Sequence, residues 1–138
     1  MSTTPRILKF DVAVEPGGTV TSALGGREIA REEGWSAEHF VLAGLVRCTL
    51  TSLAHAAKRA GIGAAAHGRA HGRVTRREED GLYAFVEIES SYEVELSPTL
   101  TGEPLAELLE WTERGCFVGN SLTARPRYRW RVNGVDVP

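Results

Sequence analysis

Apolar and polar residues alternate from Leu8 to Val14: Leu8, Phe10, Val12 and Val14 share one face, and Lys9, Asp11 and Ala13 the other. That period of two predicts a half-buried strand. Pro16-Gly17-Gly18 is a turn signal, so Thr19 to Leu24 is expected to return as the second arm of a hairpin that Gly25-Gly26 closes. Arg27 to Glu33 reads as a polar connector. Ser36 then offers a helix cap, with Glu38 and His39 in the first turn, and the helix it opens is expected to run to Ala60, where Gly61 stops it. Residues 40 to 50 of this helix are apolar nearly all round, which predicts a central helix covered on several sides. A membrane span is not expected, because Arg47 interrupts the apolar run and Lys58 and Arg59 follow it.

A second β region is expected from about Ala64 to Thr75, with small residues suited to close packing on a helix. Arg76 to Gly81 forms a charged turn. Leu82 to Leu96 is a long strand pattern whose alternation breaks between Phe85 and Ile88, which predicts a bulge. Pro104 suits the start of a second helix, Gly115 its end, and a short helix follows from Cys116. Arg127 to Val132 is a final strand before an Asn133-Gly134 turn. The order ββ-α-ββ-αα-β predicts an α+β fold in a single domain, residues 1–138.

Charge narrows the partners. A net charge of −2 provides no field for nucleic acid. The Arg-rich segments, Arg73 to Arg77 and Arg125 to Arg131, are broken by apolar or acidic residues and read as solvated strand faces. Met1 to Arg6 contains no apolar core of signal-peptide length, so a cytoplasmic protein is expected, where two cysteines indicate catalysis, metal or packing. No metal site is expected, since Cys48 and Cys116 form no Cys-x-x-Cys and the four histidines make no tight cluster with them. What remains is a thiol pair, or two small apolar fillers.

Two segments around these cysteines carry a resemblance. Ser36-Ala37-Glu38-His39-Phe40 through Arg47-Cys48-Thr49, and Gly115-Cys116-Phe117-Val118-Gly119-Asn120-Ser121-Leu122 followed by Tyr128 to Gly134, resemble the OsmC/Ohr family of osmotically inducible and organic-hydroperoxide-resistance proteins. Ala37 stands where family members often carry Pro. The resemblance implies antiparallel sheets around a long central helix, and an intertwined homodimer with active sites at the subunit interface. It implies that Cys48 attacks a hydroperoxide and becomes a sulfenic acid, that Cys116 resolves it as a disulfide, and that a dithiol reductant reopens it without any cofactor. A non-catalytic domain of the same fold, binding a small apolar ligand or serving as a dimeric structural module, is the alternative.

The attacking thiol must be a thiolate, and Cys48 lies twelve residues past Ser36, beyond reach of the helix dipole. Thr51 and Ser52 share its face and are candidate donors, although such hydroxyls commonly bond their own i−4 carbonyl. Glu38 matches the family's acidic residue, which orients an activating Arg, but ten residues of helix put it about 15 Å from Cys48. In place of the family's Arg near the first turn this chain has Glu15-Pro16-Gly17-Gly18, and Arg27, just after Gly25-Gly26, and Arg6 are the candidates to substitute. Arg47 points about 100° away around the helix. Cys116 begins a short helix whose amides would favour a thiolate. Trp111 and Phe117 are expected in the core, with a rim for an alkyl peroxide as their other use.

Overall fold

The computed structural model describes residues 4–138; the opening residues read above for a targeting segment begin in 1–3, outside the described residues. The chain forms two compact units, one ending at Ser36 and one from Ala37 to Pro138. In the N-terminal unit β1 (Val12–Val14) and β2 (Val20–Ser22) pair antiparallel, with Val12 opposite Ser22. The turn between them closes through Gly18 N–H donating to Glu15 O at 2.8 Å. Gly18 takes φ +90°, and a Cβ there would strike the Arg31 side chain at 2.6 Å. The strand is shorter than the alternation from Leu8 suggests. A three-residue partner satisfies only a short ladder, and Leu8 to Phe10 lie outside it.

The C-terminal unit is built on α1 (Ala37–Ala60). Leu45, Thr49, Leu53 and Ala57 are buried at a spacing of four, the stripe of a helix packed on one side. Gly61, at φ +74°, ends it: Gly61 N–H donates to Lys58 O and Ile62 N–H to Ala57 O, which satisfies two carbonyls of the last turn. Lys58 and Arg59 complement the negative helix end. Phe40 and Val41 stay more than a third exposed, so among the described residues the helix is buried along one stripe and not on several sides. By length and composition α1 is long and apolar enough to cross a membrane, but its buried stripe faces β3, α2 and α3.

β3 (Gly63–Arg76) and β4 (Tyr83–Ser97) form a long antiparallel hairpin. Arg77 and Asp80 clip its turn at 2.6 Å. Arg73 pairs with Glu87 and Val74 with Phe85, so Val86 is the extra residue of the bulge predicted between Phe85 and Ile88. α2 (Gly102–Arg114) and the one-turn α3 (Phe117–Ser121) then carry the chain back, and β5 (Arg127–Val132) returns beside β4. That crossover makes β5 parallel to β4, from Glu89 opposite Arg127 to Val94 opposite Val132. The sheet, in order β3-β4-β5-β6, is therefore mixed where wholly antiparallel sheets were expected. β6 (Val135–Asp136) closes it through Asn133 and Gly134, both at positive φ.

The two faces of the sheet separate by chemistry. Glu87, Glu89 and Glu93 of β4 point outward among basic side chains: Arg73 and Arg127 approach Glu87, Arg127 and Arg129 approach Glu89, and His67 and Arg131 approach Glu93. The basic arms of these pairs are solvent-exposed, and such surface pairs contribute at most about 1 kcal/mol each. They bear out the Arg-rich segments as solvated strand faces. Inward, Ile88, Ser90, Tyr92, Val94 and Leu96 are buried, and Tyr92, Tyr128 and Trp130 stack with centroids 4.7 to 6.5 Å apart. Gly68 makes room for this, since a Cβ there would meet the Tyr92 ring at 2.5 Å.

Burial pushes both Tyr92 and Tyr128 above the usual phenol range. A raised folded-state value means their contribution to stability is intact below the unfolded value, about 10, and is lost as pH rises beyond it. The melting temperature should therefore fall above about pH 10, and Tyr128→Phe should fall less steeply. Thermal melts across alkaline pH measure this, and equal slopes for the two proteins would refute it.

Candidate active site

The site begins with the last turn of α2. Gly115 N–H bonds Trp111 O, and the chain turns so that Cys116 caps α3. Two glycines set how closely these pieces seat on α1. A Cβ on Gly115 would lie 2.6 Å from Ser52 Oγ, and one on Gly119 would collide with the Tyr128 hydroxyl while sitting 3.3 Å from Cys116 Sγ and 3.5 Å from Leu45. Ser52 uses its hydroxyl to donate to Thr112 O at 2.7 Å, which ties α1 to α2.

Both cysteines are free thiols, and the seating of α3 brings them together on one small apolar cluster. Cys116 is fully buried with Leu45 and Ile88, and half-buried Cys48 packs on the same cluster. The first amides of α3 divide between the sulfurs. Val118 N–H donates to Cys48 Sγ at 3.5 Å, with Phe117 N–H beside it, and Gly119 N–H donates to Cys116 Sγ at 3.4 Å. Burial pushes the Cys48 thiol up, and the neighbouring Cys116 adds to this; the Val118 and Phe117 amides act the other way. In this arrangement Cys48 rests as a thiol.

The donors to Cys48 are thus backbone amides, not the hydroxyls proposed from its helix face. Thr51 bonds Arg47 O at 2.9 Å, the i−4 carbonyl, and Ser52 is spent on α2. Glu38 sits exposed in the first turn of α1, ten residues before Cys48. Arg27 belongs to the N-terminal unit, between Gly26 and the Val20–Ile29 bridge. Trp111 and Phe117 are not core: they are 51% and 59% exposed, and Trp111 lies between the guanidiniums of Arg59 and Arg114 at 5.6 and 5.5 Å. Phe117 sends its amide to Cys48 and its ring outward.

Sequence reasoning missed three residues here. Thr49 is fully buried, donates to Leu45 O at 2.9 Å, and lies 3.3 Å from Cys116 Sγ. Tyr128 of β5 brings its hydroxyl against Gly119, on the side where Cys116 Sγ also lies. Gly119 leaves room for both. The signal for Tyr128 was its inward register with Trp130 and Val132; nothing in the sequence linked that strand to a thiol 12 residues earlier.

The fold has parallels among known proteins. The profile of the OsmC-like protein family matches residues 30–131. No curated protein matches the chain. Among solved structures, an OsmC-like protein of unknown function from Vibrio cholerae is 12% identical with a TM-score of 0.72, over 90% of this chain and 99% of that one. An organic hydroperoxide resistance protein from Elizabethkingia anophelis, with thiocyanate bound, is 19% identical at 0.66, over 94% and 98%. One from Bacillus subtilis is 19% identical at 0.55, over 91% and 96%. At these identities the structures speak for the fold alone, and the profile match, which spans most of the chain, shows that this protein belongs to the OsmC/Ohr family.

Proposed function

We propose that the protein is a thiol-dependent peroxidase that reduces organic hydroperoxides. The observation that carries this reading is the convergence of Cys48 and Cys116 from distant parts of the chain, with α3 amides directed at both sulfurs. Cys48, as thiolate, attacks one oxygen of the O–O bond. An S–O bond forms, the O–O bond breaks, and the alkoxide leaves to take a proton as the alcohol. Cys116 then attacks the sulfenic sulfur, the S–S bond forms, and the oxygen departs as water. A dithiol reductant reopens the bridge by exchange. The burial of Cys116 fits a resolving thiol, and the partial exposure of Cys48 fits the one that meets substrate.

A thiol raised by burial needs a cation to work near neutral pH. We assign that role to Arg27, with Glu38 of α1 acting on it across a homodimer. The apolar Val41 left exposed on α1 supports a second copy of the chain as its cover. The family match crosses Ser36, which supports a single domain over 1–138, and we place the protein in the cytoplasm. The raised Cys48 thiol also favours a second reading, a non-catalytic member of the family binding a small apolar ligand or acting as a dimeric structural module.

Cys48→Ser should abolish hydroperoxide turnover, whereas Cys116→Ser should allow one oxidation and then stall as sulfenic or sulfinic acid. Mass spectrometry after substoichiometric cumene hydroperoxide follows both. Full activity in the two variants would remove thiol chemistry from the account. The pH profile of Cys48 alkylation should rise by one to a few units, on the order expected for a nearby charge, in Arg27→Ala but not in Arg47→Ala. A rise confined to Arg47→Ala would reject the assignment, and an unperturbed profile near about 8.5 in all three would favour the second reading. Light scattering at micromolar concentration should report a dimer; a monomer would defeat the proposed cover of α1.

A further inference from the structure

The two-thiol scheme leaves unused the hydroxyl groups that surround one of the sulfurs. Cys116 is buried completely, and three elements bring oxygens toward it. Thr49 of α1 stands 3.3 Å away. Tyr128 of β5 is held so close to α3 that a Cβ on Gly119 would overlap its hydroxyl, beside Cys116 Sγ. Behind them Ser90 and Tyr92 of β4, both at least 98% buried, put hydroxyls near one another and near Thr49, without a hydrogen bond of good geometry for Ser90 Oγ or Tyr92 OH. Buried hydroxyls are ordinarily satisfied, so two spare ones in a closed cluster need a reason.

The thiol and thiolate forms of Cys116 require opposite arrangements here. As a thiol, Cys116 can donate its S–H to Thr49 Oγ1, whose own proton goes to Leu45 O at 2.9 Å, or to Leu45 O itself at 4.0 Å. As a thiolate it can only accept, from Gly119 N–H and from hydroxyls that turn toward it. Spare hydroxyl capacity at Ser90 and Tyr92 lets the cluster rearrange without stranding a polar atom.

We propose that Tyr128, with Thr49 beside it, is a positioning residue for the resolving step: its hydroxyl holds Cys116 Sγ toward Cys48 and donates to that sulfur as it gives up its proton. The S–S bond forms as the S–O bond of the sulfenic acid breaks, and the proton lost by Cys116 leaves with the oxygen as water. Burial, and then Cys116 itself, hold the Tyr128 proton far into the alkaline range, so this hydroxyl stays a donor where thiols ionise. The titratable groups facing Cys116 are Cys48 from α1, Tyr92 from β4 and Tyr128 from β5. The inference rests on the peroxidase reading of the same two cysteines.

Two oxidants separate the inference from that reading. Cumene hydroperoxide tests attack and closure together. Glutathione disulfide places a mixed disulfide on Cys48, which Cys116 must then displace, and requires no peroxidase activity. With either oxidant the wild-type protein should end as the internal disulfide. Tyr128→Phe should lose the reduced Cys48 thiol at the wild-type rate but close on the order of tenfold more slowly, as for one hydrogen bond to a charged group. It should accumulate sulfinic acid with the hydroperoxide and the glutathione adduct with the disulfide, and the deficit should narrow at alkaline pH, where thiols ionise unaided. Gly119→Ala, which displaces the same hydroxyl, should behave likewise. Closure of Tyr128→Phe at the wild-type rate with glutathione disulfide at neutral pH would overturn the proposal, as would failure of the wild type to close. Cys48 left reduced by the hydroperoxide, while the glutathione arm still separates the variants, would sink the peroxidase reading and leave the role of Tyr128 standing.

Discussion

The close seating of α3 on α1 has no room for a side chain at position 119. A Cβ there would run into Tyr128 on one side and press on Cys116 and Leu45 on the other. Because the backbone can come so near, two consecutive amides of α3, those of Val118 and Gly119, reach two sulfurs carried by different elements, and the Tyr128 hydroxyl of β5 lies against the same glycine. Gly115 does the same work one turn earlier against Ser52. Widening either contact by the size of a methyl group would separate the thiols without altering them.

Beneath this contact lies an ordinary apolar core. Leu53 of α1, Leu105, Leu108 and Leu109 of α2, and Tyr92, Val94, Trp130 and Val132 of the sheet close around one another. Trp130 Nε1 donates to Glu113 Oε2 at 2.9 Å, which anchors the end of α2 to β5 just before the chain turns to Cys116. Asn133, at φ 48°, binds the end of β4 through Leu96 N–H and O, and so fixes the parallel strand against its neighbour. The thiol pair is therefore held by rigid elements, the condition under which small differences in distance translate into differences in reactivity.

Much of this was legible in the residues. Gly61 and Gly115 mark where helices end because their positions interrupt strong patterns, and the break in alternation between Phe85 and Ile88 shows Val86 as a bulge. Arg127 to Val132 alternates cleanly and is a strand over those residues. The direction of β5 was not legible, because alternation reports which face a residue takes and not which way a strand runs. Nor was the environment of Cys48. Its face on the helix offered Thr51 and Ser52, but both hydroxyls have nearer carbonyls, and the groups that do reach the sulfur are amides whose positions depend on a turn seventy residues away. Trp111 and Phe117 looked like core by residue type alone; the packing of their helices turned the rings outward.

β3 stands at the margin of its sheet, with one row of backbone groups not used by β4. A fourteen-residue open margin invites another strand to add itself, the usual start of unwanted association between copies of a chain. Here Arg69, Arg73 and Arg76 recur along it, so two such margins brought together would set arginine against arginine. The glycines at 68 and 72 that admit the aromatic rings also weaken the strand's hold on an incoming neighbour, because they present no side chain to pack on. A strand that must stay thin to accommodate the core thereby carries charge along its open edge.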